Sequence, residues 1–258
     1  MSVTYSSYLR LEELLALQQP LSDEHDETLF IVIHQVYELW FKQILHELDH
    51  LRATLARHET PRALETLKRV LTIFKVAVAQ IDVLETMTPL EFLSFRERLE
   101  SGSGFQSFQF REIEFVLGHK TPAALDRYPT GSAPRARLER RLGESTLWDA
   151  FLRYLAAGGH AVPQAQLERD VRAPITPSPE VQELLKQLYR DDPMTVWLCE
   201  RLVDLDEGLQ EWRYRHVKMV QRTIGTRAGT GGSSGAEYLA TTLNRPIFPD
   251  LWAIRASL

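Results

Sequence analysis

Leucines at 9, 11, 14, 15 and 17 fall on one stripe of a 3.6-residue repeat, which predicts an opening helix from Tyr8 to Gln18. The same period governs nearly every segment that follows. Ser22 is placed to cap a long helix, with Asp23 and Glu24 in a first turn where the macrodipole favours negative charge. No Pro or Gly interrupts residues 21–58, so that helix is expected to reach about residue 57. Thr60-Pro61 and Thr88-Pro89 each pair a cap with proline at the first helical position. They open a second long helix to about Met87 and a short one ending near Leu99. SGSG at 101–104 breaks the chain, and FQSFQFREIEFVLG then reads as a helix stopped by Gly118. Thr121-Pro122 starts a short piece, 128–134 is turn-rich, and helices are predicted at about 134–142 and 146–157. Prolines at 163, 174, 177 and 179 mark the stretch from Gly158 as loop. Ser178-Pro179 opens a helix to about Arg190, and Asp192-Pro193 opens the last long one, to about Ile224. GTRAGTGGSSG at 225–235 is a flexible loop before a short C-terminal helix and PIFPDLW. Persistent alternation is absent, as are internal repeats and any long linker. The expectation is all-α: a single helical domain with several long helices.

Composition narrows the function classes. With 258 residues, 44% hydrophobic and 25% charged, the chain can bury a sizeable core. Its net charge of −5 excludes nucleic acid as the main partner, because a surface that tracks phosphates must be basic. One cysteine, Cys199, cannot form an intrachain disulfide or a thiolate metal cage. The N-terminus lacks a basic start followed by an apolar stretch, and the densest apolar run, LFIVI at 29–33, is far shorter than the ~20 residues that span a bilayer. No membrane association and a cytoplasmic location are the expectations.

Five places could carry chemistry. His46-Glu47-Leu48-Asp49-His50 spells the zinc-hydrolase motif, but its phase is wrong. The apolar side of that helix holds Phe41, Ile44, Leu45, Leu48 and Leu51, whereas His46 and His50 share a solvated stripe with Gln43 and Arg57. His34 sits among Phe30, Ile33, Tyr37 and Phe41, where lost hydration disfavours its charged form. A core histidine bonded to a neighbour explains it as well as a functional imidazole does. His216 continues the inward stripe of Leu205, Leu209 and Trp212, with Arg213, Arg215, Lys218 and Arg222 nearby in sequence. An inward imidazole with cations around it suits haem iron and propionates; a satisfied core histidine on a solvated basic helix is the rival account. The 225–235 loop could be a lid whose Thr230, Ser233 and Ser234 hydroxyls meet a polar ligand, or a plain linker. Arg96, between Phe92 and Phe95, could clamp a carboxylate or make a surface ion pair.

HDETLFIVIHQVYELWFKQILHEL, TPLEFLSFRERLESGSGFQSFQFREIEFVLG and RYRHVKMVQRTIGTRAGTGGSSG with FPDLW closely resemble the tryptophan 2,3-dioxygenase family. YSSYLRLEELLALQQPLS matches the family's N-terminal segment, and coverage is weakest over about 119–180. The resemblance implies an all-helical homotetramer enclosing haem b, ferrous when active. That enzyme opens the indole ring of L-tryptophan with O₂ to give N-formyl-L-kynurenine, the first step of the kynurenine route. Carried over by position, His216 falls on the axial iron ligand and His34 on the distal histidine that meets the indole N–H. Phe30, Ile31, Val32, Ile33 and His34 match the substrate-contacting turn. Arg96 matches the carboxylate clamp, Phe92 an aromatic wall, Ser103 a pocket serine and Thr230 the loop threonine at the amino-acid end. Tyr5, Tyr8 and Leu9, within an N-terminal segment of about residues 1–20, match residues that complete a neighbouring subunit's pocket. Three rivals predict different outcomes: a haem monooxygenase acting on another indole, a non-catalytic haem protein on the same scaffold, and a zinc hydrolase.

Overall fold

The computed structural model describes residues 2–230 and 235–258. Its elements are helices, with no strand among the described residues. Helices α1 (Tyr5–Leu9) and α2 (Leu11–Leu15) precede two long ones, α3 (Glu27–Ala56) and α4 (Thr60–Leu84). Then come α5 (Pro89–Arg96), α6 (Phe108–Leu117), α7 (Ala133–Leu142), α8 (Leu147–Ala157) and α9 (Gln164–Leu167). Helices α10 (Pro179–Asp191), α11 (Pro193–Ile224), α12 (Ala236–Ala240) and α13 (Pro249–Ala253) complete the order. Helix α4 packs along both α3 and α11, and α6 and α8 cover α3. Leu48, Leu51, Leu67, Phe74, Leu202 and Leu205 lie in the continuous core that results.

The proline-marked starts hold, and their chemistry is visible. Thr88 and Glu91 form a reciprocal capping box at α5, and the Asp192 side chain accepts from Thr195 N at 3.1 Å at the head of α11. Gly118 ends α6 at φ +113°, a conformation costly for other residues, and a Cβ there would strike Ile175. Other boundaries moved. The expected first helix is two short ones, because Arg10 breaks it in the left-handed region at φ 52°. Ser22 does not cap α3. Its hydroxyl donates to the buried carboxylate of Glu27, which also accepts from Leu21 N and Ser22 N, each at 2.8 Å. The chain wraps that carboxylate and the helix starts four residues later than expected. Thr60 likewise is not a cap but bonds the Tyr154 hydroxyl at 2.8 Å, and α4 stops at Leu84 rather than Met87.

Charges lock the outer helices. Arg141, buried on α7, pairs with Asp49 of α3 at 2.6 Å, with Glu112 of α6 at 3.4 Å and with Glu144 at 2.9 Å. Burial would raise the Asp49 carboxyl, but Arg141 and then Arg52 outweigh it and hold its pKa below the ordinary value. A depressed carboxylate stabilises the fold fully above its unfolded pKa of about 3.9, and that contribution is lost as pH falls through the folded value. Urea unfolding should therefore show stability level above pH 5 and falling below about pH 4. Asp49→Asn should cost about 1–2 kcal/mol at pH 7, after discounting for partial exposure, and should flatten the acid limb. An unchanged acid limb in that variant would assign the loss to other carboxylates. At the C-terminus the buried Asp206 of α11 accepts on one oxygen from Ile247 N, Phe248 N and Trp252 Nε1, at 2.7, 3.0 and 2.9 Å. That carboxylate fixes the closing segment against α11.

Candidate active site

Because α4 separates α3 from α11, its C-terminal end leaves a space into which both neighbours project. Ile81 and Leu84 of α4, His34 and Tyr37 of α3, and Trp212 and His216 of α11 line a deep cavity of about 140 Å³. A second chamber of about 170 Å³ is walled by Phe30, Phe92, Arg96, Ser103, Thr223 and Thr230. The two share His34, Leu84, Gly104, Phe105, His216, Met219 and Leu239, so they form one continuous site with both imidazoles where they meet.

His34 has a defined tautomer. Its Nδ1 lies 2.7 Å from the Phe30 carbonyl one turn back, and a carbonyl only accepts, so Nδ1 carries the proton. Burial lowers its pKa, against smaller opposing contributions from the Phe30 carbonyl and Glu38, and favours the neutral ring. Nε2 is then a free acceptor. Phe30 backs the ring at 4.1 Å between centroids and stands 5.7 Å from Phe92. His216 makes no hydrogen bond to any described residue, and burial, then His34, pushes its pKa down to about 4. An unprotonated, unengaged imidazole in an apolar cavity is suited to ligation.

The chamber's polar wall is equally specific. Arg96 has no acidic partner among the described residues; one terminal nitrogen donates to the Ala228 carbonyl at 2.6 Å, and its buried Nε has no acceptor. Thr230 Oγ1 donates to the Gly102 carbonyl at 2.5 Å, which leaves its lone pairs able to accept from a ligand. Ser103 caps the turn at 104–106 and lines the same wall. Ser233 and Ser234 lie outside the described residues. Of the predicted turn, Phe30 and His34 reach the site. Ile33 is in the core, Val32 is exposed, and neither they nor Ile31 line either cavity, since a helix carries only positions one turn apart on one face. Tyr5, Tyr8 and Leu9 are 76%, 77% and 41% exposed on a helix that buries nothing, away from the site of their own chain.

The cations around His216 divide differently from expectation. Arg213 is buried and lines the deep cavity, paired with Glu114 at 2.9 Å. Arg215 instead turns to Asp82 and Glu85, Arg222 to Glu85, and Lys218 lies over Tyr214. The second guanidinium in the cavity comes from Arg111 of α6, held by the other oxygen of Glu114, with its buried Nε unpartnered. Sequence reasoning missed Arg111 and Glu114. Their one signal is their spacing, i and i+3 on α6, which brings both to the same side. The hydrolase-like motif goes elsewhere: His46 and His50 are exposed and Glu47 is buried against Arg69 at 2.9 Å.

A family model described as tryptophan 2,3-dioxygenase matches residues 1–133 and 144–258. The chain belongs to the tryptophan 2,3-dioxygenase family. A protein of that name from Herpetosiphon aurantiacus is 61% identical over 259 residues, covering 100% of this chain and 99% of the relative. One from Anaeromyxobacter sp. strain K is 56% identical, covering 100% and 97%. One from Caulobacter vibrioides is 46% identical, covering 99% and 98%. The match takes in 119–133 and 144–180, most of the stretch over which the sequence resembles the family least. No helix among the described residues is long and apolar enough to cross a membrane.

Proposed function

We propose that this member of the tryptophan 2,3-dioxygenase family holds haem b through His216 and cleaves the indole C2–C3 bond of L-tryptophan with O₂, giving N-formyl-L-kynurenine. The observation that carries this reading is the meeting of two inward-facing imidazoles and a guanidinium, Arg96, that has no acidic partner among the described residues, in one largely apolar site. The residues present fit the cofactor. His216 has a free lone pair, Leu84, Val217, Met219 and Leu239 offer apolar walls, and Arg111 and Arg213 are placed for the propionates. When bound, ferrous haem supplies the O₂ chemistry.

The chain's own residues bind and orient the amino acid. Arg96 takes the carboxylate with its unused Nε–H, and Thr230 accepts from the ammonium, fixing both charged ends so that the indole lies in one pose. Phe30 and Phe92 wall the ring, and Ser103 adds a polar edge. His34 Nε2 accepts from the indole N–H. That proton is weakly acidic, so the histidine orients and tunes rather than serving as an obligatory base. Tyr5, Tyr8 and Leu9 close the pocket of a neighbouring copy in a homotetramer, which is why they bury nothing at home. One buried thiol, Cys199, accords with a cytoplasmic protein.

Turnover under ¹⁸O₂ tests the reaction. Two labels per product are expected; one label would indicate a monooxygenase, and O₂ uptake by ferrous protein without loss of tryptophan would indicate a carrier. His34→Ala should lower kcat about 10-fold, the scale of one lost hydrogen bond. Complete loss with haem and substrate still bound would make His34 an obligatory base.

A further inference from the structure

We infer that Trp212 is the positioning residue of His216: it sets the rotation of the imidazole by ring contact. The inference rests on haem being held at His216. Trp212 lies one turn before His216 on α11, and the two rings are 13° from parallel with centroids 5.1 Å apart. Metal-bound histidines usually donate their second ring N–H to a carboxylate or carbonyl, which fixes the ring. No described residue does this for His216, so no hydrogen bond among the described residues holds its orientation.

Trp212 is itself immobilised by three rings on two other helices. Phe110 of α6 faces it at 4.7 Å and 37°, Phe41 of α3 meets it edge-on at 6.0 Å and 84°, and Tyr37 at 6.4 Å and 70°. It is 8% exposed. A plate so confined transmits its orientation to the one ring left free. With haem held at His216, the orientation of the imidazole would set how well its nitrogen donates to the iron, so the plate would govern ligand strength as well as retention.

The test uses full-length, haem-loaded protein with Trp212→Leu, Trp212→Phe and Phe110→Leu. It reads the iron–imidazole stretching band of the ferrous form and the rate of haem transfer to apomyoglobin. Trp212→Leu should shift or broaden the band and speed haem loss about 10-fold, the lower end of second-shell effects. Trp212→Phe keeps a plate and should retain both properties. Phe110→Leu removes packing behind the plate and should shift or broaden the band less than Trp212→Leu does. An unmoved band in Trp212→Leu, or a shifted one in Trp212→Phe, overturns the inference. Should Trp212→Leu not fold, the other two variants decide: a broadened band in Phe110→Leu with a native one in Trp212→Phe upholds it, and any other pair of results overturns it. Wild-type protein without a Soret band would instead defeat the haem reading on which the inference stands.

Discussion

His216→Ala should yield folded protein that no longer retains haem through purification, under expression conditions that saturate the wild type. The fold should survive because the imidazole makes no hydrogen bond to any described residue and α11 is held by Leu198, Leu202, Leu205 and Leu209 elsewhere on its inward stripe. Alanine is also the best helix former, so the substitution favours the local backbone. On the proposed reading, the haem would lose the one imidazole that the chain offers its iron at that position. Losing a group behind a metal ligand weakens binding about 10–100-fold, and losing the ligand itself should exceed that. Soret absorbance per protein, with circular dichroism as the control for folding, makes the measurement. A variant that keeps the wild-type spectrum would place the iron on a different residue.

Arg96→Leu should lower kcat/KM for L-tryptophan about 10²–10³-fold, mainly through KM. Removing one partner of a hydrogen-bonded charge pair in a desolvated site costs about 2–5 kcal/mol. The guanidinium has a second task, since it also holds the Ala228 carbonyl of the loop that carries Thr230. Two ligands separate the roles. Wild-type protein should bind L-tryptophan in preference to tryptamine, which has no carboxylate, and Arg96→Leu should erase most of that preference. If the variant weakened both ligands equally, Arg96 would be a loop anchor and not the clamp. Arg96→Lys should lie between, because a point charge replaces a planar fork.

How much of this was legible depends on the range of the interaction that decides each feature. Proline-marked starts at Pro89 and Pro193 and the stop at Gly118 follow from backbone chemistry within one turn, and they were read correctly. The start at Ser22 failed because Glu27, five residues on, competes for the same hydroxyl and main-chain groups. The break at Arg10 had no signal in composition, since arginine is an ordinary helix former. Among the site residues, His34 and His216 were visible as polar positions on apolar stripes. Neither could be told from a core histidine by pattern alone, and their proposed roles rest on the family resemblance.

The order of motifs and the helical phase of the chain by themselves determined an all-α protein in which Phe30 and His34, and Trp212 and His216, share their respective helix faces. Such one-turn spacing is a local property, written in residue order and insensitive to what packs nearby. Tertiary structure alone decided which charges enter the cavity. Arg215 finds Asp82 across 133 positions and turns outward, while Arg111 and Arg213, 102 positions apart, converge on Glu114 and turn inward. A cation's direction is set by the acid it meets, and that acid arrives only when distant helices pack.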